Sequence, residues 1–453
     1  MSTIEKHDMT QGKILLPLVS FTIPLVLGNL FQLTYNAVDS IIVGKFVGKY
    51  VGEQALAAVG TSTPIMNIAI LLISGMCMGA SVLMSSQYGA KDYDTLSRQI
   101  STTMLAGCGF SVVFSLLMLL LANPVLRLIR VPETAIPEAA AYLRIIFMGL
   151  IFTFMYNFLA NTMRALGDSK TPLYFLVTSA FLNIFGDLFF VVVLRWGVAG
   201  SAIATVCSEG LCCLLCGIYI KKKIPLLCLG KKWWVFDKSL LGKTVSYGST
   251  SAMQQVCLQL GKLIIQSVVN TQGVAVMAAF TAVNRVDDFA YTPQQNIGHA
   301  MTTFLAQNKG AGHKERMKKG FQTGLLIELV YSIGLFCVIW GLAPQIMTLF
   351  AEDGDAQVVS LGISYLHLIS WMYILPGLTN GVQGFFRGIG DLKVTLYSTF
   401  MNMFGRVVAV FVMIRLLQME FASLAWANMV GWIVMLLFEV PLLVKSMRNG
   451  ECG

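Results

Sequence analysis

Arg164-Ala165-Leu166-Gly167-Asp168-Ser169-Lys170 returns later in the chain as Arg387-Gly388-Ile389-Gly390-Asp391-Leu392-Lys393. Each copy is a short polar loop between two long apolar runs, near 139–161 and 172–194 in the first case and near 360–384 and 394–414 in the second. Outward from these loops the likeness continues in one order. Ala55-Leu56-Ala57-Ala58-Val59-Gly60-Thr61 falls on Ala275-Val276-Met277-Ala278-Ala279-Phe280-Thr281, Gln87 on Gln307, and Asn183-Ile184-Phe185-Gly186 on Asn402-Met403-Phe404-Gly405. Four ordered matches after comparable stretches of apolar chain describe a duplicated protein.

The remaining apolar runs lie near 14–43, 54–84, 101–122 and 199–220 in the first half, and near 244–269, 274–305, 321–343 and 421–444 in the second. A hydrocarbon core about 30 Å thick takes roughly 20 residues of helix to cross. These runs are apolar all round and lack the alternation of a membrane β-strand. The fold class expected is therefore an all-α integral membrane protein with twelve transmembrane helices. Six spans per half make two six-helix lobes that enter the membrane the same way round, related by a pseudo-twofold axis along the membrane normal, an arrangement found in transporters. The expected partition is a first lobe over 1–220, a basic cytoplasmic linker over 221–243 and a second lobe over 244–453.

Composition agrees. Of 453 residues, 56% are hydrophobic and only 12% charged, about half the charge of a soluble domain. Lys6, Lys13, Lys91, Arg98, Arg164, Lys170, the run from Lys221 to Lys243, the cluster from Lys309 to Lys319, Arg387, Lys393, Lys445 and Arg448 all fall on alternate loops. The intervening loops hold only Lys45, Lys49, Arg127, Arg130, Arg195 and Arg415. Under the positive-inside rule both termini are cytoplasmic, and the net charge of +9 reports topology. The basic residues form no aromatic-interleaved patch, so nucleic acid is not an expected partner. The lipid bilayer is, and a monomer in the plasma (cell inner) membrane is expected. The first apolar run is followed by no small-residue cleavage site, which argues against a removed signal peptide. Most of the ten cysteines sit inside apolar runs and read as small hydrophobes.

A charge inside a span needs a reason. Asp39 lies in span 1 with Tyr35 one turn before it; Asp187 lies in span 5 with Asn183 one turn before it. Residues four apart share a helix face. Thr205 opens span 6 after the short Arg195-Trp196-Gly197 loop and so returns near Asp187. Oxygen ligands of this kind suit a hard cation such as Na+, and the same carboxylates can hold H+; cross-helix hydrogen bonding that only fixes packing is the alternative. Pro24 frees a carbonyl in span 1 and allows a bend. In span 8, Asn284, Asp287, Asp288, Tyr291 and Gln295 recur at three-to-four spacing as a polar stripe that should face a cavity. Arg285, three residues before Asp288, is a ready neutraliser, and Gln255 of span 7 adds to the candidate substrate-facing set. Glu209, Glu328 and Glu439 sit in spans without such a stripe and read as helix-packing partners, with Lys262 and Arg406 available to them.

Taken together, the Pro17 to Pro24 start of span 1, the Asp39 region, Ala55-Leu56-Ala57-Ala58-Val59-Gly60 and the paired Arg-x-x-Gly-Asp loops resemble the multidrug and toxic compound extrusion (MATE) family over essentially the whole chain. The likeness is greatest to prokaryotic branches whose coupling acids sit in the first lobe. It implies two six-helix lobes around a central cavity, and export of organic molecules, cationic or amphipathic, against inward Na+ or H+. It implies a coupling site made by an Asp and Tyr of span 1, an Asn and Asp of span 5 and a Thr of span 6; Asp39, Tyr35, Asn183, Asp187 and Thr205 match those positions. Other branches place acids in spans 7 and 10, where this chain has Gln254, Gln255 and Gln259 and no acid, respectively. A small organic substrate is the expected partner, with no cofactor and no metal beyond Na+. Scattered histidines and short loops exclude an enzyme. The rival function is a flippase or exporter of lipid-linked oligosaccharides or metabolites, whose anionic cargo would call for more cavity cations than Lys262, Arg285 and Arg406.

Overall fold

The computed structural model describes residues 8–42, 53–129, 131–224, 234–350, 356–418, 421 and 423–448, with the side chains of 36–42, 53–61, 64, 350, 415 and 416 outside that description. Among the described residues the secondary structure is helical: α1 (Leu15–Ile42), α2 (Glu53–Gly89), α3 (Tyr93–Leu128), α4 (Ile136–Met148), α5 (Leu150–Ala165), α6 (Lys170–Asp187), α7 (Gly197–Lys223), α8 (Lys238–Val269), α9 (Val274–Gly310), α10 (Lys314–Phe350), α11 (Ala356–Ser370), α12 (Ile374–Ile389), α13 (Leu392–Phe411) and α14 (Ser423–Arg448). A 3-10 turn, Trp371–Tyr373, joins α11 to α12, and π-turns follow α6 and α13.

Among the described residues nine segments are long and apolar enough to cross a bilayer, counting α11 and α12 as one, and α4 with α5 makes a tenth that bends by 44°. The two crossings that fall short on apolarity are α8 and α9, the helices richest in glutamine and, in α9, aspartate. They complete the twelve spans. The α4–α5 bend falls at Gly149, where a Cβ would lie 2.3 Å from Val206 Cγ2 of α7. Glycine lets the helices approach that closely, and it stands at the break between α4 and α5.

The chain divides into two compact units, one holding Ile23–Ala252 and the other Met9–Thr22 with Met253–Gly453. In the first, the core gathers Ile73, Leu96, Leu143, Phe147, Phe154, Phe158 and Met163. Here α2 meets the start of α8 through Gly75, Gly79, Gly248 and Ala252: a Cβ on Gly79 would lie 2.4 Å from the Tyr247 carbonyl oxygen, and one on Gly75 2.5 Å from Ala252 Cα. Small residues four apart on both helices permit this backbone contact. In the second unit the core gathers Val283, Ala343, Met347, Tyr365, Leu366, Tyr373 and Ala425. The N-terminal segment is held there by Arg316, which donates to the carbonyls of Met9, Gln11 and Gly12, and by Gln307, which accepts from the Met9 N–H at 3.2 Å.

The repeated loop turns on the same glycine in both units, but the aspartate that follows caps the next helix through its side chain only in the first. Gly167 (φ +89°) and Gly390 (φ +85°) adopt the left-handed conformation that ends a helix. Asp168 then accepts from the Lys170 and Thr171 N–H groups at 3.0 Å and starts α6. Large apolar side chains at helical spacing, such as Val113, Leu116 and Leu120 of α3, point outward and are exposed. A continuous apolar exterior of this kind belongs against lipid.

Candidate ion-coupling site

In the first unit α6 carries Asn183 and Asp187 on one face, both buried, Asp187 completely. Asp187 is the last residue of α6 before the π-turn Leu188–Val193, so the carboxylate sits where the regular hydrogen-bond ladder changes step. Close α6–α7 packing is secured at Gly186, where a Cβ would lie 2.9 Å from Ala204 Cβ. That packing brings Thr205 of α7 to the Asn183 amide at 3.2 Å, and Thr205 also donates to the Ser201 carbonyl at 3.1 Å.

Tyr35 of α1 completes the group through a short hydrogen bond to the Asn183 amide. A carboxylate oxygen accepts only, so the amide nitrogen of Asn183 faces Asp187. In that orientation it donates to Asp187 Oδ2 at 3.1 Å and to the Tyr35 hydroxyl, while its oxygen accepts from Thr205 N and Oγ1 at 3.2 Å. Four of the five expected residues therefore share one pocket. The fifth, Asp39, lies in the last turns of α1 and its side chain is outside the described residues. Pro24 is buried inside α1, two residues past the point where the helix leaves one unit for the other.

The span 8 stripe, on α9, does not present one surface. Asp287 is buried within the second unit, where Tyr373 donates to Oδ1 at 2.6 Å and Tyr365 to Oδ2 at 3.3 Å. Asn428 of α14 donates to the Tyr365 hydroxyl at 2.8 Å, and the Arg406 guanidinium lies close enough to act on the carboxylate electrostatically. Tyr291 stacks edge-on against Tyr373 and Trp432, with its hydroxyl enclosed and lacking a hydrogen-bond partner. Asp288 and Gln295 are exposed on the opposite side, and Asn284 and Gln255 are half-buried. The Asp288 carboxylate meets Lys262 of α8 at 3.6 Å, not Arg285. Tyr365, Tyr373 and Asn428 escaped the sequence reading because it looked for acids in span 10 and passed over the phenols two turns apart that answer an acid of another helix.

The remaining intramembrane glutamates differ in surroundings. Glu209 accepts from the Thr153 hydroxyl. Glu439 lies beside Arg387, Ser398 and Gln383. Both oxygens of Glu328 are buried without a hydrogen bond. Among the described residues no group of three or more His, Cys, Asp or Glu side chains is placed to hold a metal, and the eight described cysteines are free.

The MatE family profile matches residues 24–189 and again 251–413. The chain belongs to the MATE family. It is a membrane transporter and not an enzyme, and the double match restates the duplication read from the paired loops. Among this MATE protein's relatives, the probable multidrug resistance protein YpnP of Bacillus subtilis (strain 168) is 32% identical over 396 residues, 87% of this chain and 86% of that one. The probable multidrug resistance protein NorM of Thermotoga maritima is 22% identical over 427 residues, 92% and 89% of the two chains. In fold the MATE protein is similar to a solved structure described as MATE in complex with MaL6, with a TM-score of 0.90, 22% identity and 98% of each chain covered.

Proposed function

We propose that this MATE protein is a secondary antiporter that exports small organic molecules, cationic or amphipathic, in exchange for Na+ or H+. The observation that carries this reading is the pocket of Tyr35, Asn183, Asp187 and Thr205: a fully buried carboxylate, surrounded by oxygen-bearing side chains from three helices. Burying a carboxylate in a low-dielectric interior is costly unless something positive answers it. A small cation that enters and leaves such an oxygen-rich group would stabilise the carboxylate and make the site a switch. Asp39, one turn beyond Tyr35, is assigned to the same site by its position on α1. The names of the relatives, which refer to multidrug resistance, support organic molecules as cargo. In this reading 1–220 and 244–453 act as the two lobes, 221–243 as the cytoplasmic linker, and the Asn284, Asp288, Gln295 and Gln255 side chains serve the substrate path.

The test is counterflow of a fluorescent organic cation in everted vesicles, with sodium and proton gradients imposed separately. One of the two gradients should drive transport, and both Asp39→Asn and Asp187→Asn should remove that drive. Gradient-driven export that survives both substitutions rejects the site.

A further inference from the structure

Every buried carboxylate described in the second unit except one has a basic side chain acting on it. Asp287 has two phenols and a nearby guanidinium, and Glu439, whose two oxygens also lack a hydrogen-bond partner, has Arg387 close enough to act electrostatically. Glu328 of α10 is 1% exposed, both of its carboxylate oxygens lack a hydrogen-bond partner, and no basic side chain acts on it among the described residues.

An amide and a hydroxyl gather near Glu328. Gln294 of α9 is fully buried; its amide nitrogen donates to the Tyr373 carbonyl at 2.8 Å and to Ser332 Oγ at 3.0 Å. A carbonyl only accepts, so the amide orientation is fixed, and Gln294 Oε1 is left buried with no partner. Ser332 lies one turn beyond Glu328 on α10 and donates to the Glu328 carbonyl at 2.7 Å. All three side chains converge on Gly377 of α12. A Cβ there would lie 2.8 Å from Ser332 Oγ, 3.2 Å from Gln294 Nε2 and 3.4 Å from Glu328 Oε2. Three buried acceptor atoms without a donor, beside a glycine whose missing side chain leaves room next to Glu328 Oε2, describe a place with a positive centre missing.

We infer that Glu328, Gln294 and Ser332, gathered around Gly377, form a second site in this protein for a small monovalent cation of the sodium class. One carboxylate with neutral amide and hydroxyl oxygens is a hard, singly charged donor set. It offers no nitrogen or sulfur to a transition metal and only one negative charge to a divalent ion. The site is joined to Asp287 through Tyr373, whose carbonyl accepts from Gln294 while its hydroxyl donates to Asp287. An ion at Glu328 would thus be felt at the other buried acid of α9 through one tyrosine of the 3-10 turn between α11 and α12.

The test is direct binding of radiolabelled sodium to the full-length protein in lipid nanodiscs, with choline holding the ionic strength constant. It is made first in Asp187→Asn, which removes the first-unit carboxylate. Saturable sodium binding should persist in that variant, be lost when Glu328→Gln is added, and weaken about tenfold when Gly377→Ala is added instead. The alanine variant retains the carboxylate and tests the cradle should the glutamine variant fail to fold. Sodium binding undiminished by both additions overturns the second site. So does an Asp187→Asn protein that binds no sodium while the unsubstituted protein does, a result that would leave the first-unit reading standing. Loss of sodium-driven export in Asp187→Asn, with binding at Glu328 intact, would separate the two sites in the other direction.

Discussion

At the scale of single residues, the two units handle a buried aspartate by different means. The register that puts Asn183 on Asn402 puts Asp187 on Arg406, so the duplicated helix carries a negative charge in one unit and a positive charge in the other. Asp187 accepts from the Asn183 amide, which itself meets a phenol and a hydroxyl, whereas Asp287 is pinned by two phenols with Arg406 nearby. Asn183 is the bridge of the first group. Asn183→Ala should remove the donor to Asp187 Oδ2 and the partner of both Tyr35 and Thr205, costing about 1–3 kcal/mol of stability. It should also shift ion dependence in a transport assay, which a merely structural asparagine would not do. For the second group, Tyr373→Phe removes the 2.6 Å donor to Asp287 and Tyr365→Phe the 3.3 Å one. Thermal unfolding followed by tryptophan fluorescence should rank Tyr373→Phe as the more damaging, by about 1.5–3 kcal/mol for a hydrogen bond to a charged group. Equal midpoints would show that the two phenols are interchangeable.

At the scale of elements, what was legible in the sequence is what local spacing determines. The duplicated loop, the twelve spans and the neighbourhood of Asn183, Asp187 and Thr205 follow from runs, four-residue steps and one short connection between α6 and α7, while the family resemblance is what set Tyr35 beside them. Features set by contacts between distant elements left no such trace. The bend at Gly149 depends on Val206, the answer to Asp287 comes from α11, the 3-10 turn and α14, and the cradle at Gly377 needs three helices to meet. A polar stripe on α9 was visible, but helical spacing alone could not separate Asp287, which faces the interior, from its neighbour Asp288, which faces out to Lys262. Close helix contacts also set what substitution does. Gly79→Ala places a Cβ 2.4 Å from the Tyr247 carbonyl, a backbone atom that cannot swing aside, and should destabilise by about 1–3 kcal/mol. Gly109→Ala in α3 meets nothing within 4 Å and should be neutral or stabilising by up to about 1 kcal/mol through helix propensity. Opposite shifts in the two unfolding midpoints would support the reading; parallel losses would contradict it.

At the scale of the whole molecule, orientation follows from charge placed on alternate loops. The described part of the positive set includes Lys91, Arg98, Lys170, the Lys221–Lys223 end of α7, the Lys309–Lys319 cluster at the α9–α10 turn, and Lys445 with Arg448 at the end of α14. Each of these lies at a helix end or in a short connection, where the positive-inside rule carries weight, because short loops with Lys and Arg resist translocation. The intervening connections are poor in both residues. Carboxylates do not blur the pattern: Asp94 pairs with Arg98 at 2.6 Å on an exposed surface, and acidic residues contribute little to topology. An even number of crossings requires the two termini to share a side, and the basic set predicts that this side is the cytoplasm. A fluorescent protein fused after Gly453 should therefore mature and emit, and an alkaline phosphatase at the same position should be inactive. The same phosphatase placed in the connection between α6 and α7, beside Trp196, should be active. Activity at the C-terminal fusion with none at Trp196 would reverse the orientation and place both the basic linker and the repeated Arg-x-x-Gly-Asp loops on the outer face.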